Sequence, residues 1–209
     1  MTHYYERLPN VESKPRELLY DVEAKHLSFM SDQGVFSKNH VDMGTDLLIR
    51  TVVEDLRKRG VKRGKLLDLG CGIGVIGIAL KRLIPPLELT MVDVNLRALE
   101  LTEQNMHRNM VRYGDVMESD GFGALEGQFF DVVVTNPPIR AGKDVVYRFF
   151  EDAKTHLNPG GAFYCVVGKK QGSPSAEKKL KDVFNNVTVL KKYKGFSIFA
   201  CYTEESEVG

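Results

Sequence analysis

Lys65-Leu66-Leu67-Asp68-Leu69-Gly70-Cys71-Gly72-Ile73-Gly74-Val75-Ile76-Gly77 runs from a short apolar strand through a glycine loop into a helix. The spacing predicts a strand over 65–69 and a helix over 75–83, ended by Pro85-Pro86. Glycines at the junction allow a tight turn and close backbone approach, and the helix start offers free N–H groups to a ligand. The same alternation repeats outward from this unit. Strands are expected over 88–92, 111–113, 129–135 and 162–167, with helices over 96–106, 145–157 and 175–184. The helix over 145–157 is expected to stop at Asn158-Pro159-Gly160-Gly161, and 187–190 pairs with 196–202 as a terminal hairpin around Tyr193-Lys194-Gly195. Before the glycine loop, Leu47, Leu48, Val52, Val53 and Leu56 form a helical stripe stopped by Gly60. This alternation implies an α/β fold, a doubly wound, mostly parallel sheet with helices on both faces. In such sheets ligands bind beyond the carboxyl ends of the strands.

The 209 residues suffice for one sizeable core, and a formal charge of +1 argues against holding nucleic acid by bulk charge alone. The charge is uneven. From Cys165 to Phe196 there are eight lysines (Lys169, Lys170, Lys178, Lys179, Lys181, Lys191, Lys192, Lys194) against Glu177 and Asp182. Two readings stand: solvated helix and strand faces, or a phosphate-contacting edge. Cys71, Cys165 and Cys201 lack C-x-x-C spacing, and the five histidines are scattered, so no disulfide framework and no metal is expected. Residues 1–16 carry no signal-peptide core, and no apolar run approaches the roughly 18 residues that span a bilayer. A soluble, cytoplasmic protein without membrane association is expected.

Asn136-Pro137-Pro138-Ile139 follows the apolar run Asp131-Val132-Val133-Val134-Thr135. Neither proline has an N–H, and Asn136 is pushed towards an extended conformation. The Asn136 side-chain oxygen and the Pro137 carbonyl are therefore expected to stand without local donors, a shelf suited to gripping the hydrogens of a planar –NH2 group. Three acids fall near strand ends. Asp68 precedes the glycine loop and suits a ligand with an ammonium group; Asp93 is placed to accept from both hydroxyls of a ribose; Asp115, in Gly114-Asp115-Val116, is expected to accept from an adenine amino group. Together these describe S-adenosylmethionine. Gly72-x-Gly74-x-x-Gly77 with Asp93 also matches the dinucleotide fingerprint, but Asp68 would repel a pyrophosphate and the Asn-Pro-Pro shelf would have no purpose.

These residues resemble the class I S-adenosylmethionine-dependent methyltransferases, and within them the "small" methyltransferase domain group, which includes guanine-N2 methyltransferases of small-subunit ribosomal RNA. The resemblance covers about 32–202 and rests on Gly34-Val35-Phe36-Ser37, Val41-Asp42-Met43-Gly44-Thr45, the Asp68–Gly72 loop, Asn136-Pro137-Pro138-Ile139-Arg140-Ala141-Gly142-Lys143 and Lys169-Lys170-Gln171-Gly172. It implies a seven-stranded sheet with its last strand antiparallel, an N-terminal extension over 1–42 covering the site, and a methyltransferase domain over 43–209. It implies S-adenosylmethionine held by Thr45, Asp68, Gly70, Gly72, Gly74, Asp93, Val94, Asp115, Val116 and Asn136. Catalysis falls to Asn136 and Pro137, and substrate contact to Pro138, Ile139, Arg140, Phe36 and Lys169, with Lys143 and Lys170 on the same rim. The partner implied is RNA, ribosomal RNA foremost. Relatives that methylate adenine N6 or a glutamine amide usually carry an aromatic after Asn-Pro-Pro; Ile139 offers no π-face, which tilts the reading to guanine N2 and leaves those amines as the alternative. The longer ribosomal RNA enzymes carry a second, degenerate copy of the domain. This sequence has none, so the RNA grip is expected from its own N-terminal segment, a partner or a homodimer mate.

Overall fold

The computed structural model describes residue 7 and residues 11–35 and 40–204. In chain order the elements are β1 (Arg16–Val22), β2 (Lys25–Ser31), α1 (Met43–Lys58), β3 (Gly64–Leu69), α2 (Val75–Leu83), β4 (Leu87–Asp93), α3 (Leu96–Arg108), β5 (Asp115–Glu118), β6 (Phe130–Thr135), α4 (Lys143–Thr155), β7 (Leu157–Gly168), α5 (Ser173–Val183), β8 (Asn186–Tyr193) and β9 (Phe196–Tyr202). Seven strands form one sheet in the order β5-β4-β3-β6-β7-β9-β8. The first five pair in parallel, and β9 runs antiparallel to both of its neighbours.

Each inner strand is buried on both faces, and its period of two sorts side chains between two cores. Leu66, Val132, Val134 and Tyr164 join Leu48, Val52 and Ile78 of α1 and α2 on one face. Leu67, Leu69, Val133 and Phe163 join Phe149, Phe150 and Leu180 of α4 and α5 on the other. The sheet is thus doubly wound as the alternation requires. Its strand order reverses between β3 and β6, and a cleft opens there beyond the carboxyl ends. No helix among the described residues is long and apolar enough to cross a membrane.

Two expected elements are corrected. Val111–Tyr113 is not a strand; the strand is Asp115–Glu118. Val111 is buried because it closes α3: its N–H reaches the Met106 carbonyl at 2.9 Å, and the Met110 N–H reaches His107 at 3.1 Å. That is a Schellman termination, with Met110 at φ 57° in the position that glycine usually takes. The second correction concerns Asn158-Pro159-Gly160-Gly161, which lies inside β7. Helix α4 already ends at Thr155, and Leu157 pairs with Phe130 before a bulge restores register at Val132 and Ala162. A proline without an N–H is tolerated at such a bulge.

The hairpin β1–β2 docks on α3 through two asparagines. Asn105 accepts from the Met30 N–H at 2.6 Å and donates to the Met30 carbonyl at 3.0 Å; Asn109 does the same for Ser28 at 3.0 and 2.8 Å. The rise of about 6 Å over four helical residues matches the roughly 6.7 Å between alternate strand residues, so side-chain amides at i and i+4 imitate a neighbouring strand. Asn105 also donates to Ile73 in the glycine loop at 2.9 Å, tying the hairpin to that loop. Replacing Asn105 with Ala would leave the Met30 N–H and two carbonyls unpaired. The expected loss is roughly 2–4 kcal/mol in urea unfolding; a loss below about 0.5 kcal/mol would show that water replaces the amide.

Candidate active site

A cavity of about 500 Å³ occupies the cleft at the carboxyl ends of the central strands. That volume lies within the range of small-molecule sites. The glycine loop forms its floor. Gly72, at φ 56°, has open space where a Cβ would stand, so its backbone faces the cavity directly. Gly77 serves packing instead: a Cβ there would meet Leu89 Cδ1 and Met91 Sδ at 2.9 Å, so only glycine lets α2 lie this close to β4.

Asp93 accepts from the Gly72 N–H at 2.8 Å through one oxygen and from the Asn95 N–H at 2.9 Å through the other. Burial raises its carboxyl, opposed by these backbone hydrogen bonds. Each oxygen retains a lone pair, and both Asp93 and Val94 line the cavity beside Ala98 and Ile73. That arrangement fits a ribose over the acid and an adenine against the apolar wall.

Asp68 lies elsewhere than expected. It is fully buried beneath the loop, accepts from the Gly77 N–H at 2.8 Å and does not line the cavity. Its Oδ1 has no partner, and burial pushes the carboxyl up to about 7. A ligand ammonium above the loop would therefore feel Asp68 through the loop rather than in direct contact. The orphaned oxygen, the open face of Gly72 and the paired acceptors of Asp93 together fit S-adenosylmethionine.

Asp115 and Val116 are misplaced in the sequence reading. Asp115 is exposed and pairs with Thr90, while Glu118 pairs with Asp93, so Asp115 stands at the amino end of β5. Three residues of strand, about 10 Å, separate it from the rim. Ser119 and Gly121 line the cavity after β5 instead. The apolar Val111 carried the wrong strand assignment, which moved the expected strand end back to Asp115.

Asn136, Pro137, Pro138, Ile139 and Arg140 all line the cavity. The Pro137 carbonyl is not free of local donors: Pro138, at φ −75° and ψ 74°, makes an inverse γ-turn in which the Ile139 N–H reaches that carbonyl at 2.8 Å. One lone pair remains for a substrate. Asn136 is held by a chain that the sequence concealed. Asp42 caps α1 with one oxygen, accepting from Gly44 and Thr45 N–H groups. Its other oxygen takes the Thr45 hydroxyl proton at 2.5 Å. Thr45 Oγ1 can then only accept, and it accepts from Asn136 Nδ2 at 3.0 Å. The amide nitrogen is thereby fixed, and no donor among the described residues reaches Asn136 Oδ1. Thr45, expected at the cofactor, lines the cavity; it has spent its proton on Asp42 and accepts from Asn136.

Phe196 and Gln171 complete the rim. Because β9 is antiparallel, its first residue pairs with Gly168, the last of β7, and arrives at the same end of the sheet. An antiparallel last strand was the signal that placed Phe196 there. Gln171 accepts from the Gly168 N–H at 2.8 Å. Lys169, Lys170 and Lys143 are exposed beside this rim without lining the cavity. Phe36 lies outside the described residues.

Residues 26–200 match the family model described as the methyltransferase small domain. The chain is 41% identical over 197 residues to the uncharacterized protein YbxB of Bacillus subtilis, covering 94% of this chain and 96% of that protein. It is 36% identical over 180 residues to ribosomal RNA small subunit methyltransferase C of Haemophilus influenzae, covering 84% of this chain and 51% of the relative. It superposes with a TM-score of 0.82 and 28% identity on the T. thermophilus 16S rRNA N2 methyltransferase RsmC, solved with AdoMet and guanosine, covering 94% of this chain and 52% of that one. The chain spans about half the length of these last two proteins.

The buried Asp68 carboxyl gives a testable pH dependence. Its folded-state value of about 7 exceeds the ordinary 3.8, so its stabilisation is complete below about pH 4 and is lost as pH rises towards 7. Relative to Asp68→Asn, the ligand-free wild type should lose unfolding free energy across that window. Parallel curves from pH 4 to 7 would show that Asp68 is ionised in the folded chain.

Proposed function

Since the chain belongs to the methyltransferase small-domain family and is an S-adenosylmethionine-dependent methyltransferase, we propose that it methylates the exocyclic N2 amine of a guanine in ribosomal RNA. The observation that carries this reading is the locked amide of Asn136, whose oxygen is free at the cavity beside the remaining lone pair of Pro137. The ribosomal RNA specificity of the H. influenzae relative, and the guanosine and AdoMet bound to the T. thermophilus enzyme, support the substrate. Such an enzyme works in the cytoplasm.

Bound S-adenosylmethionine supplies an electrophilic methyl carbon. The amine of a purine is a poor nucleophile because its lone pair is delocalised into the ring. Asn136 Oδ1 and the Pro137 carbonyl accept its two hydrogens, turn the lone pair out of the ring plane and support the positive charge that develops on nitrogen. Thr45 and Asp42 keep the acceptor, and not the amide NH2, facing the substrate. This arrangement needs no general base before the methyl moves. Ile139 and Phe196 both line the cavity, and in this reading Phe196 supplies the aromatic face that Ile139 lacks. A base in structured RNA must unstack to reach the shelf, at a cost of about a few kcal/mol.

Phe196 also suits adenine, so N6 methylation of adenine is the second reading. Nucleoside mass analysis of ribosomal RNA from cells lacking the chain decides between them: N2-methylguanosine should disappear from one position, whereas loss of N6-methyladenosine would transfer the assignment. Asn136→Ala should lower turnover about 10²–10³-fold while calorimetric affinity for S-adenosylmethionine stays within a few-fold. Thr45→Val, which removes only the lock, should lower turnover at least about tenfold; an unchanged rate would show that Asn136 needs no orienting partner.

A further inference from the structure

The turn joining β8 to β9 is built at an avoidable local cost. Tyr193 pairs with Phe196 across a two-residue connection, and both connecting residues are left-handed, Lys194 at φ 44° and Gly195 at φ 84°. Such type I′ turns favour Asn or Gly at their first position. A lysine there accepts about 1 kcal/mol or more of backbone strain. Strain of this kind, which Glu23 and Met110 also carry, persists only under a constraint from the surrounding structure.

The turn's location supplies that constraint. The Lys169 N–H donates to the Gly195 carbonyl at 2.7 Å, which fastens the hairpin tip to the cavity rim next to Phe196. Tyr193 is 49% exposed, a large aromatic face left to solvent, and Lys194 Nζ stands 5.4 Å from its ring centre. Arg140, Lys143, Lys169, Lys170 and Lys194 are all exposed, and none forms an ion pair among the described residues. Lys179 and Lys181 of α5, by contrast, are paired with Glu151 of α4 and with Glu177. Five cations without an ion pair thus stand on the segments at the mouth of the site, and Asp144 is the only acid in the segments 140–144, 169–171 and 193–196.

We propose that this hairpin tip is the docking platform for single-stranded RNA flanking the target base. Tyr193 stacks on a neighbouring base, and Lys194, Lys169 and Lys170 meet the phosphates on either side while Arg140 guides the strand into the cavity. Exposed aromatics combined with unpaired cations are what sequence-tolerant single-strand binding requires. The inference rests on the proposed RNA substrate, and it locates the RNA grip in this chain's own carboxyl-terminal hairpin.

The test measures anisotropy of a fluorescein-labelled oligouridine against the full chain, at several salt concentrations, with melting temperature recorded for every variant. Tyr193→Ala should raise Kd about tenfold or more. Lys194→Gly should raise Kd and lower the salt slope by about 0.7, while its melting temperature stays equal to or above that of wild type because glycine relieves the left-handed strain. Wild-type Kd and salt slope in both variants would overturn the platform. Failure of the wild type to bind oligouridine would overturn it too, even with ribosomal RNA methylation intact. Binding weakened by both substitutions in a protein that transfers no methyl to ribosomal RNA would keep the platform and overturn the proposed substrate.

Discussion

The site depends on how closely α2 may approach the sheet. Gly77 has no Cβ, so the helix settles against Leu89 and Met91 and its N–H reaches Asp68 at 2.8 Å. That contact sets the height of the loop from Gly70 to Gly74, and the loop's height sets the reach of Gly72 to Asp93. A methyl group at position 77 would lift the helix, and the cavity face of the loop would move with it. The fully buried Asp68 belongs to the same constraint: it holds the helix from below at the cost of one unsatisfied oxygen.

The two halves of the cavity are held by different physics. The glycine-loop side is backbone and glycine, with an acid whose two oxygens are anchored by main-chain N–H groups. The Asn136 side is a relay of side chains from the cap of α1, through one hydroxyl proton, to an amide. The first tolerates no added volume. The second tolerates no lost proton or acceptor, because each member determines the role of the next.

Much of the architecture was legible because strands buried on both faces read as continuous apolar runs, as in Val132 to Val134 and Ala162 to Val167. Misreadings arose where a local hydrogen bond reassigned an apolar or polar residue. Val111 is apolar because it seals a helix end, and a three-residue run cannot distinguish that from a strand. The Pro137 carbonyl was expected to stand without a local donor, but the γ-turn at Pro138 that occupies half of it depends on ψ, which proline does not fix. The Asp42–Thr45–Asn136 relay links positions 91 residues apart between Thr45 and Asn136, beyond the range of any local pattern. Phe196 required knowing the direction of β9 relative to β7.

The asparagine ladder on β2 has a consequence for the order of assembly. Asn105 and Asn109 can act as a surrogate strand only once α3 is helical, since their spacing matches the strand through one helical turn. They lie 75 and 81 residues after the backbone groups that they satisfy. At roughly 5–20 residues per second of synthesis, the hairpin emerges some 4–15 s before its partner exists. A lone two-stranded hairpin is marginal in water. A nascent chain halted before Asn105 therefore carries an open strand edge, and this early hairpin finds its place only after α3 has followed it.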